Sequence, residues 1–412
     1  MFRLGLCLTN IQIKKLLENI NLFCSFLTDW DKKKDYYINE FLPQIVNYNF
    51  SGLSIEARTI FLKIRDETNA EQWKNIIEII TDVKENYDTI IQNLNKRENA
   101  SKVALFINNL KNTYAFEGFI HSTSFENFIN IMKSGYIYSR NKLLKNKSSF
   151  SDIALNSVIE NTLPIVQDYV RFYWRPKTPT NYTNEGIKPV AALNGNYKAH
   201  SPNPVILIFN ASIIESDGIK FTNRNAGKYN THLFDDINNL FNFDSIFNNE
   251  DIRNYDDNLK TKIKQARCAE LLYPDQISIN LIDKIIFRSS CDYQRAIQIL
   301  GENSKFKVDK TYFYNHWLYV DNYNLSTKNN NFRLVIKYNF GECYKNSFNL
   351  QQYRHILKKF DKNNNLLKEL QLNEFIKKSN QEQTFTFKKD GQAEYISYYI
   401  DNIECIRTKI ND

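Results

Sequence analysis

An α+β fold is what this 412-residue sequence predicts, divided into a helical region at 1–115, a mixed domain at 116–315 and a β-rich domain at 316–412. Apolar residues repeat every three to four positions in the first region. The second mixes short apolar runs with helix-like stretches, and the third alternates apolar and polar residues. A chain of this length can bury two or three separate cores, so we expect three consecutive regions.

The first region is clearest in the stretch EQWKNIIEIITDVKENYDTIIQNL. Its apolar residues would share one face of a helix: Trp73, Ile76, Ile77, Ile80, Val83, Tyr87, Ile90, Ile91 and Leu94. Such a face either packs in a helical bundle or binds a protein partner, and the pattern leaves both open.

The middle region begins with a strand-like stretch, AFEGFIHSTS, followed by FENFINIMKSGYI, a helix that Asn127 begins and Gly135 closes. The basic stretch SRNKLLKNK is expected to be a loop. YVRFYWRPKTP predicts a strand running into proline-bounded turns, and NPVILIFN and LIDKIIF predict further strands. Between those two lies the polar stretch 232–265, which we interpret as a long functional loop with some helix.

The last region contains the alternating stretches NFRLVIKYNFG, RHILKKFDKNNNLLKELQL and QTFTFKKDGQAEYISYYI. Hairpin signals interrupt them at Asn363-Asn364-Asn365 and at Asp390-Gly391. We therefore expect a small antiparallel β domain with a hairpin at each signal.

Composition excludes several classes of function. The net charge of +8 permits a polyanionic partner but is far below that of a dedicated DNA-binding arm. The six cysteines form no CxxC pair and only five histidines occur, which argues against a disulfide framework and a catalytic metal. No Rossmann, P-loop or nucleophile-elbow glycine pattern is present. The N-terminus is too short in apolar residues for a signal peptide and no run approaches the roughly 20 residues of a membrane span, so we expect a cytoplasmic protein without a membrane partner.

Four stretches of the middle region are candidates for chemistry. His121 ends a strand-like stretch; Arg171, Arg175 and Lys177 in the proline-rich segment either clamp a pyrophosphate or belong to a rigid surface turn. FTNRNAGKYNTHLF is the third stretch. In the fourth, RCAELLYPDQISINLIDKIIF, Glu270 stands alone at the start of an apolar run.

Taken in order, FIHSTSFENFINIMKSGYI, YVRFYWRPKTPTNYTNEGIKP, FTNRNAGKYNTHLF and RCAELLYPDQISINLIDKIIF resemble the DarT family, bacterial toxins that transfer ADP-ribose from NAD+ to nucleic-acid bases. The resemblance covers roughly residues 116–315. It implies an ADP-ribosyltransferase-like split β-sheet core with NAD+ in its cleft and no metal. It also implies a role as a toxin or anti-phage effector, with a macrodomain-type antitoxin as partner.

The resemblance also carries residue roles. His121 and Thr123 would hold the nicotinamide end of NAD+, with Asn127 close by and further cofactor contacts from Tyr173 and Asn225. Glu270 would be the catalytic acid.

A fixed carboxylate suits this chemistry because positive charge develops on the ribose as nicotinamide departs, as it does in glycoside hydrolysis. A carboxylate bound to a ribose hydroxyl is worth more in that transition state than in the ground state, so it accelerates the step. A structural alternative is that Glu270 is an exposed charge at a strand end, paired with Arg267.

One residue departs from the family pattern. Lys177 stands where the family usually has an arginine between two prolines, and lysine cannot supply a planar two-point fork. Lys177 is expected to bind phosphate or to help remove a proton from a base. Arg175, two residues earlier, is expected to supply the fork.

The resemblance favours a base in single-stranded DNA as the acceptor, since an unpaired base exposes its edge. Cations and aromatic side chains would bind the strand: Arg140, Lys142, Lys145, Lys147, Tyr182 and Tyr229. RNA or protein as the acceptor, and a catalytically impaired nucleic-acid-binding module, remain as alternatives.

Overall fold

A computed structural model of the chain describes residues 102–147, 150, 159–160, 162–188, 193, 200–228, 231–237, 241–341, 353–372, 382–389 and 393–410. Residues Ile107–Asp412 form one compact unit. Of the region predicted to be helical, residues 102–114 are helical and residues 1–101, with the amphipathic stretch, lie outside the described residues.

The described helices are α1 (102–114), α2 (Phe125–Ser134), α3 (Arg140–Lys145), α4 (Pro179–Asn184), α5 (Phe243–Phe247), α6 (Asp257–Ala266) and α7 (Ser290–Leu300). The strands up to residue 308 are β1 (Phe119–Ser124), β2 (Tyr136–Tyr138), β3 (Tyr169–Tyr173), β4 (Pro204–Phe209), β5 (Lys220–Thr222), β6 (Glu270–Pro274), β7 (Gln276–Ser278), β8 (Ile282–Phe287) and β9 (Phe306–Val308). The later strands are β10 (Tyr319–Lys328), β11 (Asn331–Asn339), β12 (His355–Phe360), β13 (Leu366–Leu372), β14 (Glu382–Lys388), β15 (Tyr395–Ile400) and β16 (Ile403–Lys409).

A seven-stranded sheet with the order β5-β6-β3-β1-β4-β8-β9 forms the centre of the unit. β1 pairs with β4 along all six of its residues, and β3 pairs with β6 along five. By contrast, β1 and β3 meet at the single pair Ile120 and Tyr173. The sheet is therefore two half-sheets joined at one point, and the two strands diverge beyond it.

Burial explains why the sheet forms where it does. All six residues of β4 are buried, as expected for an apolar run covered on both faces. On one face, Ile120, Ile206 and Ile286 pack with Phe313. On the other, Phe119 and Trp174 have ring centroids 4.8 Å apart. The structure confirms a mixed α/β chain with one large sheet.

The predicted strand–helix unit at the start of this domain is confirmed, although the helix begins at Phe125 rather than at Asn127. The Ser124 side chain caps it by accepting the backbone N–H of Asn127 at 3.2 Å. Gly135 ends it with a φ of 79°, a left-handed conformation that favours glycine.

Two predicted loops contain helices. The basic stretch SRNKLLKNK forms α3, capped by the side chain of Ser139, so the prediction of a loop there is wrong. In the polar stretch 232–265, α5 and α6 provide the helix that the sequence predicted in part. Within the described ranges, no helix is both long and apolar enough to cross a membrane.

Residues 319–409 contribute two antiparallel sheets, ordered β10-β11-β14 and β13-β12-β15-β16, which share one apolar core. The hairpin predicted at Asn363-Asn364-Asn365 is confirmed, because β12 pairs with β13 and Asn364 has a φ of 65°. The hairpin predicted at Asp390-Gly391 is wrong. The strands before and after it lie in different sheets, β14 beside β11 and β15 beside β12 and β16.

Candidate active site at the split of the sheet

A cleft of about 680 Å³ opens where β1 and β3 diverge. β1 contributes His121 and Thr123 to its lining, α2 contributes Asn127, and β3 contributes Arg171. The volume lies within the range of about 300–1,000 Å³ typical of small-molecule sites. The sequence-predicted cofactor residues of β1 and α2 therefore come together at one cavity.

Glu270 lies directly behind this cleft, as the first residue of β6. It is opposite Tyr173 on β3 and opposite Thr222 on β5, so the three side chains share one face of the sheet. Its side chain is 0% exposed. The alternative of an exposed charge paired with Arg267 is therefore wrong.

Arg171 is the partner that makes this burial tolerable. Its Nε donates to Oε2 of Glu270 at 2.6 Å and its Nη2 donates to Oε1 at 2.7 Å, a two-point contact. Arg171 precedes Tyr173 by two residues, so it is a diagonal neighbour of Glu270 across the strand pair, within reach of a long side chain. Burial disfavours the charged guanidinium, but the Glu270 carboxylate outweighs it and raises the pKa of Arg171.

Asn225 connects this ion pair to two other segments. Its Oδ1 accepts Arg171 Nη2 at 2.9 Å and the backbone N–H of Gly227 at 2.8 Å. Its Nδ2 lies 3.2 Å from Thr180 Oγ1, at the start of α4. The backbone N–H of Ala226 donates to Oε1 of Glu270 at 3.0 Å. The predicted cofactor residue Asn225 thus holds the ion pair of Arg171 and Glu270 in place, and its turn covers the carboxylate.

His121 faces the cleft with a defined tautomer. Its Nδ1 lies 3.1 Å from the carbonyl oxygen of Arg171. Because a carbonyl only accepts, Nδ1 carries the proton and Nε2 is left as an acceptor in the neutral ring. Burial, with a contribution from the charge of Arg171, lowers the pKa of His121. The hydrogen bond from the His121 ring to the Arg171 carbonyl oxygen takes the place of a backbone hydrogen bond where β1 and β3 separate.

Two other predicted cofactor residues line the same cleft, and a third, Tyr173, lies next to Glu270. Thr123 is 3% exposed and lines it together with Asn127. Tyr173 stands beside Glu270 in the register of the sheet. Burial, followed by the negative charge of Glu270, raises the pKa of Tyr173.

Arg175 does not supply the fork that the sequence suggested. It is 7% exposed, and its Nη1 donates to the carbonyl oxygen of Ile246 at 2.9 Å and to that of Asn248. Its Nη2 donates to Asn249 Oδ1 at 2.6 Å. Burial and the charge of Arg267 lower the pKa of Arg175 to about 10. The guanidinium is thus committed to holding the end of α5, which corrects the catalytic prediction for this residue.

Lys177 is half-buried in the turn between β3 and α4. Burial raises the pKa of Glu185, and the positive charges of Arg288 and Lys177 oppose that rise. The charge of Lys177 therefore acts on Glu185, and the catalytic role of Lys177 stays a prediction.

The residues predicted to bind nucleic acid separate into different places. Arg140 lines the same cleft as His121 and Thr123. Lys142 forms an ion pair with Asp275, whereas Lys145 and Lys147 are exposed. Tyr182 is 41% exposed on α4. Tyr229 lies outside the described residues.

Sequence reasoning named Arg171 only as a possible pyrophosphate clamp and did not single out Thr180 or Ala226. A usable signal for Arg171 is its place in an apolar strand, where a buried cation needs a carboxylate, and Glu270 at the start of another apolar run can supply one. Across the described parts of the chain, no group of three or more metal-ligating side chains comes together.

Residues 120–319 match the family model described as ssDNA thymidine ADP-ribosyltransferase, DarT. Among curated proteins, no relative matches the chain.

Solved structures provide further similarities. Thermus sp. 2.9 DarT in complex with ADP-ribosylated ssDNA is 19% identical, with a TM-score of 0.38, over 48% of this chain and 95% of that one. The same DarT in complex with NAD+ is 18% identical, with a TM-score of 0.37, over 48% and 96%. Thermosipho africanus DarTG in complex with ADP-ribose is 20% identical, with a TM-score of 0.39, over 48% and 51%. The resemblance found in four sequence elements is confirmed by the family model, which matches residues 120–319 of this chain.

Proposed function

We propose that this chain transfers ADP-ribose from NAD+ to the base of thymidine in single-stranded DNA, in line with the description of the family model that it matches. The observation that carries the proposal is Glu270, fully buried in a two-point ion pair with Arg171 directly behind a cleft of about 680 Å³. A buried, fixed carboxylate beside a cavity is the arrangement that stabilises a developing positive charge.

NAD+ would occupy the cleft with its nicotinamide end toward His121 and Thr123, and with Asn127 beside it. Tyr173 would close the site next to Glu270. The neutral His121 ring offers Nε2 as a hydrogen-bond acceptor, which suits a hydroxyl or amide donor of the cofactor. Arg140, which lines the same cleft, would face the remainder of the dinucleotide.

The number of acceptor sites on Glu270 supports its catalytic role. A carboxylate offers about four lone-pair sites, and Arg171 and the Ala226 N–H use three of them. One site on Oε2 therefore remains for a ribose hydroxyl. Because Glu270 is 0% exposed, the ribose reaches it only when the turn containing Asn225 and Ala226 shifts.

The bond changes follow from the two substrates. The bond between ribose C1′ and the nicotinamide nitrogen breaks, and its electron pair leaves with nicotinamide and cancels the pyridinium charge. Thymidine has one ring N–H, at N3, because N1 is bonded to the sugar. N3 forms the new bond to C1′ and releases its proton to solvent. In duplex DNA this N–H pairs with adenine, so an unpaired strand is required. Lys177 would stabilise the negative charge on the thymine as the proton leaves.

The test is mass spectrometry of nucleosides after incubation of the protein and NAD+ with single-stranded DNA, duplex DNA, RNA and bulk protein. The expected product is ADP-ribosyl-thymidine from single-stranded DNA. Glu270→Gln should form it at least about 10²–10³-fold more slowly, whereas Glu302→Gln, at an exposed position outside the site, is the matched control. ADP-ribose found on protein alone, by mass spectrometry of its peptides, would refute the proposal, and ADP-ribose found on RNA alone would replace the acceptor.

The similarity to DarT supports a proposal for the biological role. We propose that the activity arrests growth as a toxin or anti-phage effector and that a macrodomain-type antitoxin reverses it. Expression of the wild-type chain should stop bacterial growth, and co-expression of a macrodomain hydrolase should restore it. We also propose that residues 116–315 are the catalytic domain, between flanking domains at 1–115 and 316–412.

A further inference from the structure

Three aromatic rings form a compact group on the surface beside α4, here called the aromatic platform: Tyr182, Tyr314 and His316. The Tyr182 ring meets the His316 ring edge-on at 4.2 Å and the Tyr314 ring edge-on at 5.1 Å. Tyr314 and His316 are stacked at 5.3 Å. Tyr182 is 41% exposed, so part of this group is open to a ligand.

The backbone behind the platform is fixed. Asn315, between the two other platform residues, has a φ of 57°, and its N–H donates to the buried carboxylate of Glu185. Its side-chain amide donates to the carbonyl oxygens of Lys310 and Phe313. Such a pre-organised surface loses little conformational entropy when it binds a ligand.

The platform adjoins the proposed active site. Thr180, on α4, bonds Asn225 and lies 4.0 Å from Cys268, two residues before Glu270. Tyr182 follows Thr180 by two residues, about 200° around the same helix, so one side of α4 contacts the catalytic network and the other carries the platform.

Charged groups of both signs lie near the rings. Burial raises the pKa of Tyr314 to about 12, the charges of Arg175 and Arg267 act in the opposite direction, and the charge of Glu185 acts in the same direction as burial. The charge of Lys177 opposes the effect of burial on the pKa of Glu185, which holds the platform backbone. Aromatic faces beside cations are the combination that binds single-stranded nucleic acid.

We propose that the aromatic platform stacks an unpaired base of the acceptor strand, a neighbour of the thymidine that is modified. This inference rests on the proposed function and adds to it a second contact site for the same strand. It assigns Tyr314 and His316, which no sequence pattern singled out, to strand binding together with Tyr182.

The experiment measures binding of the full-length chain to a fluorescein-labelled, thymidine-containing DNA oligonucleotide by fluorescence anisotropy. Tyr182→Ala and Tyr314→Ala should raise Kd about 5- to 150-fold, which corresponds to about 1–3 kcal/mol per stacked base. Tyr182→Phe keeps the ring and should stay within about threefold of wild type. Oligonucleotides with one abasic site at each position in turn locate the stacked base. Wild type should bind more weakly when the abasic site is at one position next to the thymidine, and the Kd of Tyr182→Ala should not change with that replacement.

Tyr395→Ala, at a half-buried position in β15, is the matched control for loss of a tyrosine ring. Circular dichroism melting curves test whether each variant folds, and the Tyr182→Phe comparison decides the issue if Tyr314→Ala unfolds. If wild type modifies DNA but Tyr182→Ala and Tyr314→Ala bind it with unchanged Kd, the proposed role of the aromatic platform is wrong and the proposed function still stands. Wild-type protein that labels no oligonucleotide overturns the proposed function itself.

Discussion

Replacing Arg171 by methionine is the sharpest test of how the candidate site is built. The change removes two hydrogen bonds to Glu270, at 2.6 and 2.7 Å, and one to Asn225, at 2.9 Å. Of the hydrogen bonds to the carboxylate described above, the Ala226 N–H alone then remains. Breaking a buried ion pair from one side costs about 3–5 kcal/mol. Because the Arg171 side chain is 31% exposed, water offsets part of this loss, and we expect about 3 kcal/mol.

The double variant separates loss of the charge pair from loss of packing. In the Glu270→Gln background the buried anion is absent. Adding Arg171→Met there should therefore lower the free energy of unfolding by about 2 kcal/mol less than it does in wild type. Urea unfolding midpoints of the four proteins, converted with a common slope, give this coupling. A coupling below about 0.5 kcal/mol would show that Arg171 stabilises the fold by packing and that the Glu270 carboxylate does not depend on it.

Three further outcomes are expected. Glu270→Gln should lower kcat for ADP-ribose transfer at least about 10²–10³-fold, the usual effect of removing one transition-state contact. A kcat within tenfold of wild type would show that Glu270 has no part in the mechanism. Initial rates of transfer with saturating DNA should stay within about tenfold of wild type in Lys177→Arg and fall about 10²-fold in Lys177→Met. Equal rates for the two variants would exclude a role for the charge. For pH, burial lowers the pKa of His121 below its ordinary 6.5, so the unfolded chain binds a proton that the folded chain refuses. The urea midpoint should therefore fall as pH drops below about 6.5, and His121→Asn should flatten that slope; an unchanged slope would contradict the buried neutral ring.

The sequence predicted those parts of the site that depend on strand ends and helix starts. The hydrophobic pattern changes at a strand end or a helix start next to each of His121, Thr123, Asn127 and Glu270. The structure places the first three around one cleft and the fourth behind it. The prediction failed for Arg175, because the oxygen atoms that bind its guanidinium come from residues more than 70 positions later. Local sequence carries no signal for such a contact.

The same limit explains two errors in the fold. The stretch SRNKLLKNK has enough helix formers and a serine cap to form α3, but its short length and high charge resemble a loop. At Asp390-Gly391 the turn residues favour a hairpin, yet β14 pairs with β11, and β15 pairs with β12 and β16, so the two flanking strands do not pair with each other. Tertiary pairing outweighs local turn preference there.

The single residue pair between β1 and β3 has a practical consequence. Since β1 pairs along its whole length with β4 alone, every second amide of β1 beyond Ile120 points toward the gap between the half-sheets rather than into a ladder. Those amides should exchange with deuterium faster than their neighbours, and a dinucleotide filling the gap should slow them. Site occupancy could thus be followed on the native chain by exchange mass spectrometry of this one peptide, without a label or a turnover assay.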